Sequence, residues 1–139
     1  YVGKVKKIKT ELITSLLEKN YIPVISPIGV DNEGNCYNIN ADIAASEIAS
    51  SLNAKKVIFL TNIDGVLDKE NKVISLIHKE NINDLIENGT ITSGMIPKIQ
   101  ACEKCLNNGV ERTHILNGAK KNTILYELLS DNGIGTMII

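Results

Sequence analysis

The sequence predicts an α/β fold, a three-layer α/β/α sandwich built on a mostly parallel central sheet. Three observations lead to it. Short β-favouring runs alternate with stretches whose apolar residues recur at helical spacing. One run, Lys56-Val57-Ile58-Phe59-Leu60, is nearly continuous in its apolar character, as expected of a strand in the middle of a parallel sheet. The 139 residues are 43% hydrophobic and 22% charged, close to globular averages, and the length suits one domain with one core. No internal repeat or low-complexity linker interrupts the alternation.

Taken in order, Leu12, Ile13, Leu16 and Leu17 fall at helical spacing within 10–20. Tyr21-Ile22-Pro23-Val24-Ile25-Ser26-Pro27-Ile28 reads as a buried strand, and the Asp31-Asn32-Glu33-Gly34 turn within 29–35 joins two short strands. A helix over 41–52 is capped by Asn40 and turns Ile43, Ala44, Ile48 and Leu52 inward. After the 56–60 strand, residues 66–76 form a hairpin around 69–71, and 82–87 form a short helix before Asn88-Gly89. A longer helix over 97–107 begins at Pro97 and stops at Asn108-Gly109, both well-placed terminators. A strand over 112–116, a helix over 123–130 and an apolar strand over 135–139 close the chain.

The charge balance, 15 basic against 16 acidic residues, gives no electrostatic case for a nucleic acid or an anionic membrane as partner. No apolar stretch approaches the roughly 20 residues that span a bilayer and no secretory signal pattern opens the chain, so the cytoplasm is the expected compartment. The chain starts at Tyr1, in a segment that already reads as the interior of a fold, so residues 1–139 are expected to form one lobe of a longer protein. Three cysteines argue against a disulfide framework. Cys102 and Cys105 form a CxxC without a second pair or a spaced His, and share an apolar helix side with Ile99 and Leu106. That pattern points to core packing, with no metal site. Lys4, Lys6, Lys7 and Lys9 lack interleaved aromatics and read as solvated surface.

Ligands of open α/β sheets lie beyond the carboxyl ends of the strands, which directs attention to Thr61-Asn62-Ile63-Asp64-Gly65-Val66. This loop combines a hydroxyl, an amide, a carboxylate and a glycine that lets backbone N–H groups approach a phosphate; a plain strand-to-hairpin turn would use the same residue types. Neither GxxxxGK[ST] nor GxGxxG occurs, so a phosphate would need another device. Gly94-Met95-Ile96-Pro97-Lys98 offers one, a lysine in the first turn of a helix whose amino-terminal N–H groups favour an anion. Electrostatics alone would place an acid there, so a lysine is either exposed surface or the partner of a bound anion. In Asn38-Ile39-Asn40-Ala41-Asp42, Asn40 suits an N-cap and Asp42 a first helical turn; the alternative has Asp42 orient a lysine while Asn38 reaches a substrate.

Together these pieces closely resemble the carboxyl-terminal half of the N-acetylglutamate kinases of the amino acid kinase family. The resemblance covers nearly the whole chain. It runs through Tyr21-Ile22-Pro23-Val24-Ile25, Tyr37-Asn38-Ile39-Asn40-Ala41-Asp42, Leu60-Thr61-Asn62-Ile63-Asp64-Gly65-Val66-Leu67, Gly94-Met95-Ile96-Pro97-Lys98 and the terminal stretch from Glu127 to Ile138, which includes Asp131 and Asn132. It implies ATP-dependent phosphorylation of the γ-carboxylate of N-acetyl-L-glutamate in arginine biosynthesis, with Mg2+ and in a homo-oligomer when full length. Carried over residue by residue, Asn38 and Asn40 would serve the substrate, Asp42 would be the organising acid, and Lys98 would stabilise the transferring phosphoryl group. Thr61, Asn62, Asp64, Gly65, Val66 and Leu67, with Thr90, Ile91, Thr92, Gly94 and Met95, would line the nucleotide. In arginine-sensitive members a His and a Glu contact the inhibitor, and His114 and Glu127 match them, with Gly133 in the adjoining turn; a strand-end His and a helix-face Glu are the plain alternative.

The family's glycine-rich phosphate loop and second catalytic lysine belong to the amino-terminal half. By that resemblance, this chain is expected to bind nucleotide weakly and to turn over nothing alone. Two rival readings remain at this point. One is another amino acid kinase, such as glutamate 5-kinase, aspartokinase, carbamate kinase or uridylate kinase; the other is a non-catalytic module that senses arginine or nucleotide.

Overall fold

The computed structural model describes residues 2–92, 94–130 and 133–139, so Asp131 and Asn132 of the terminal motif lie outside the described residues. Helix α1 (Glu11–Glu18) precedes a hairpin of β1 (Ile28–Val30) and β2 (Cys36–Asn38). Asp31 closes its turn by accepting the Glu33 and Asn35 amides at 2.9 Å each. The Asn35 side-chain amide, which donates to the other carboxylate oxygen at 3.0 Å, is the chief cause and the backbone bonds add to it in holding the Asp31 carboxyl down at about 2. Helix α2 (Ala41–Ser51) begins at Asn40, whose Oδ1 accepts the Ile43 amide at 3.1 Å, as the sequence predicts. Then follow β3 (Lys56–Thr61), β4 (Leu76–Ile77), a 3₁₀ turn (Lys79–Asn81), α3 (Ile82–Glu87), α4 (Ile96–Asn107), β5 (Arg112–Asn117), α5 (Thr123–Leu129) and β6 (Thr136–Ile138).

The main sheet has the order β3-β5-β6-β4. β3 pairs with β5 and β4 with β6 in parallel, while β5 and β6 are antiparallel, so two of the three pairings are parallel. Side chains alternate across β5. Ile115 faces the core that α4 closes with Ile99, Cys102 and Cys105, whereas His114 meets Glu127 of α5 on the opposite face. Helices therefore cover both faces, which is the predicted sandwich. Cys102 is fully buried, as expected of core packing, and burial pushes its thiol up to about 12.

Three sequence expectations are corrected. Residues 21–27 form no strand, and Tyr21, Ile22, Val24 and Ile25 are exposed; only Ile28 enters β1. Pro23 and Pro27 remove two ladder donors, and no described strand pairs with the segment. Secondly, β3 lies at an edge of the four-stranded sheet, not in its middle, and Leu60 is exposed there. Thirdly, α2 buries Ser46 and Ala49, while Ile43 is exposed. Small residues let α2 approach α4 closely, and the Ser46 hydroxyl donates to the Asp42 carbonyl at 2.7 Å and the Ala101 carbonyl at 3.3 Å. The close approach of these two helices positions the charged pair described next.

Candidate active site and a second cleft

Asp42 stands in the first turn of α2 and Lys98 in the first turn of α4, 56 residues apart in the chain. The Lys98 ammonium donates to both Asp42 carboxylate oxygens, at 2.9 and 2.8 Å, and lies 5.6 Å from the centre of the Phe59 ring of β3. Carboxylate on one side and ring on the other fix a long, flexible side chain. Both side chains keep some solvent contact, 17% for Lys98 and 31% for Asp42, so the charge remains accessible to a ligand. The expected amide cradle of α4 is a correction: the Ile96 N–H already donates to the Thr92 carbonyl and the Lys98 N–H to the Met95 carbonyl, and Pro97 has none. The anion attraction of this helix start rests on the lysine and the helix dipole. Asn38 is exposed at the end of β2, leading into the Asn40 cap and Asp42, while the Asn40 amide oxygen is occupied by capping.

β3 and β5 run in register from Lys56 and Arg112 to Thr61 and Asn117, so their carboxyl ends emerge side by side. The Gly118 N–H donates to the Thr61 carbonyl at 2.8 Å. Asp64 turns back toward this crossing, accepting from Asn117 Nδ2 at 2.7 Å and from the Lys120 ammonium at 2.8 Å. Lys120 first, then Asn117, holds its carboxyl below the ordinary range. Beyond it lies a cleft of ≈ 320 Å³, with Gly65, Val66 and Leu67 on one wall and Thr90, Ile91, Thr92 and Met95 on the other. These expected nucleotide-lining residues are brought together. Thr61, Asn62, Asp64 and Gly94 are outside its lining, Asp64 because its carboxylate is committed to β5. Asp68, Lys69, Asn71 and Gly89 also line it and were missed, since a hairpin turn gives no signal of what it faces. Asn117 and Lys120 were missed too; the asparagine directly after the 112–116 strand expected from the sequence, in fact the last residue of β5, was the available clue.

A second cleft, of ≈ 340 Å³, opens toward the amino ends of β3 and β5, where Lys56 and Arg112 stand at its rim. It contains all three expected effector residues, His114, Glu127 and Gly133. His114 Nδ1 donates to Glu127 Oε1 at 2.8 Å, Lys56 Nζ lies 3.6 Å from the same oxygen, and the Ile134 N–H donates to Oε2 at 3.2 Å. A Cβ on Gly133 would lie 3.3 Å from that second oxygen, so a larger residue would crowd the carboxylate. Burial pushes the His114 pKa down, Glu127 opposes this, and Lys56 and Arg112 add to the lowering. The lowered pKa favours the neutral ring, in which Nε2 is a buried acceptor with no partner among the described residues.

The family model described as the amino acid kinase family matches residues 1–117. The chain belongs to the amino acid kinase family. It is 55% identical over 139 residues to the acetylglutamate kinase of Hydrogenobaculum sp. (strain Y04AAS1), covering 99% of this chain and 48% of that protein. With the acetylglutamate kinase of Methanococcus aeolicus it shares 51% identity over 140 residues, 99% of this chain and 48% of the relative. The chain thus spans about half the length of the curated relatives it matches. Among solved structures, the N-acetylglutamate synthase of Neisseria gonorrhoeae, complexed with coenzyme A and L-arginine, superposes with a TM-score of 0.92 at 31% identity, over 99% of this chain and 32% of that one. That likeness bears out the predicted fold class.

Proposed function

We propose that this chain is the nucleotide-binding half of an enzyme that transfers a phosphoryl group from ATP to the γ-carboxylate of N-acetyl-L-glutamate, in arginine biosynthesis and in the cytoplasm. The observation that carries the reading is the bidentate Asp42–Lys98 pair on adjoining helix starts, with Met95 of the same turn in the wall of the 65–67 cleft. Identity near one half with two acetylglutamate kinases supports the choice of substrate over the other amino acid kinases.

The chemistry asks little of the protein in proton transfer. A γ-carboxylate with a pKa near ~4.3 is ionised at neutral pH and attacks without a general base. Asp42, with both oxygens engaged by Lys98, acts as a positioner and leaves proton transfer aside. ATP, when bound, supplies the phosphoryl group; the 65–67 wall and the facing Thr90, Ile91, Thr92 and Met95 hold the nucleotide, Lys98 neutralises charge on the transferring group, and Asn38 meets the acyl-amino acid. Among the described residues no three His, Cys, Asp or Glu side chains gather to hold a metal. Mg2+ bound with the nucleotide would therefore be held chiefly by phosphate oxygens and water, and would help neutralise charge on the phosphates.

The second cleft is the place for L-arginine as a feedback inhibitor. Its support is the convergence of His114, Glu127 and Gly133, and the likeness to a synthase solved with L-arginine. That synthase also favours a second reading, a regulatory lobe without kinase activity, against which the accessible Asp42–Lys98 pair weighs. A coupled assay of N-acetylglutamate phosphorylation on the full-length protein separates the two. The kinase reading expects turnover that falls by roughly 10²-fold or more in Lys98→Ala, and none from residues 1–139 alone. Arginine binding by a full-length protein that phosphorylates nothing would establish the regulatory reading instead.

A further inference from the structure

We propose that Thr136, in the last strand, is a positioning residue for the wall of the nucleotide cleft, acting through a buried hydroxyl that fixes the Gly65-Val66 backbone. The inference deepens the proposed function and rests on assigning that cleft to the nucleotide.

Thr136 has no exposed surface and sits in β6 opposite Ile115 of β5. Its Oγ1 accepts the Val66 N–H at 2.8 Å across 70 residues of chain. On the other side of the same residue, the Val66 carbonyl accepts the Ile74 N–H at 2.8 Å. Val66, 2% exposed, therefore has both backbone polar groups committed, one to β6 and one to the far arm of its hairpin. The approach is too close for a side chain. Gly65 has φ +146°, and a Cβ there would stand 2.6 Å from Thr136 Oγ1 and 3.0 Å from Val73 Cγ1. Gly135 has φ +85°, and a Cβ on it would run into the Ile115 carbonyl oxygen. Two glycines thus let the loop and β6 cross in contact, and the threonine hydroxyl supplies the hydrogen bond at the crossing.

Gly65, Val66 and Leu67 form one wall of the cleft. Removing the Thr136 acceptor leaves a buried amide unpaired and frees the wall to move, while the cleft keeps every side chain that faces the ligand. A residue that merely filled space in β6 would not have this effect, because valine has the same shape as threonine.

The test uses the 139-residue chain with Thr136→Val, Thr136→Ser and Thr136→Cys. Hydrogen exchange of the Val66 amide is measured without ligand, and Mg-ADP is titrated calorimetrically. Thr136→Val is expected to speed Val66 exchange and weaken Mg-ADP binding, each on the order of tenfold, with Thr136→Ser restoring both. If the valine chain does not fold, Thr136→Cys, a weak acceptor of similar size, takes its place with effects in the same direction. Unchanged Val66 exchange, failure of the serine to restore it, or faster exchange with undiminished Mg-ADP affinity would each overturn the proposal. Faster exchange in a chain whose wild type binds no Mg-ADP would uphold the hydroxyl's hold on the wall and overturn the nucleotide assignment instead.

Discussion

The two clefts lie toward opposite ends of the β3–β5 pair and hold their charges in opposite ways. Beside the 65–67 cleft, Asp42 and Lys98 remain partly solvated, at 31% and 17% side-chain exposure. In the other, His114 and Glu127 are desolvated, at 4% and 6%, and committed to each other and to the 134 amide. A partly solvated pair costs less to rearrange than a desolvated one, so Lys98 can share its charge with an incoming phosphate without leaving Asp42. A desolvated pair is held by its surroundings, and a ligand there must match the acceptor and donor pattern it finds. The difference suits a reacting centre at one end and a recognition pocket at the other.

The comparison is broken most severely at Glu127. Glu127→Ala strands the buried His114 Nδ1 donor and the nearby Lys56 charge, and should lower stability by about 3 kcal/mol, whereas Lys98→Ala should cost only about 1 kcal/mol. Urea unfolding midpoints of the two variants check the order, and equal shifts would contradict the solvation contrast.

The smaller test is by pH. The folded His114 pKa lies below its ordinary value of 6.5, so below about that pH the unfolded chain takes up a proton that the folded chain refuses. The contribution is complete above 6.5 and is lost as pH falls toward the folded value, against the charges of Glu127, Lys56 and Arg112 that face the ring. His114→Gln should flatten this limb of a stability profile. Asp31, lowered from 3.8 to about 2, contributes in a separate and more acid window. An unchanged slope near pH 6 in His114→Gln would show that the ring is not held neutral by burial.

The same contrast governs what was legible in the sequence. Local signals were reliable: the Asn40 cap, the 82–87 helix and the Asn108 stop appear as read, and α4 starts one residue before Pro97, because each depends on residues within a turn of one another. The Asp42–Lys98 pair was legible because an acid and an out-of-place lysine each raised the question separately. Residues 21–27 misled because apolar β-pattern reports a preference for burial, while a strand also needs a neighbour to pair with. Ser46 and Ala49 were passed over on α2 because helix contact favoured small size over hydrophobicity. Asn117, Lys120 and Thr136 act on the 61–67 loop from 53 or more residues away, through contacts that only the sheet order creates.

The central claim, that the carboxyl-end cleft takes the nucleotide while the amino-end cleft does not, is tested most directly by calorimetric titration of this chain with Mg-ADP, beside its Lys98→Ala and His114→Gln variants. The account predicts binding that weakens on the order of tenfold in Lys98→Ala and is unchanged in His114→Gln. Binding that ignores Lys98 or falls with His114 would contradict it.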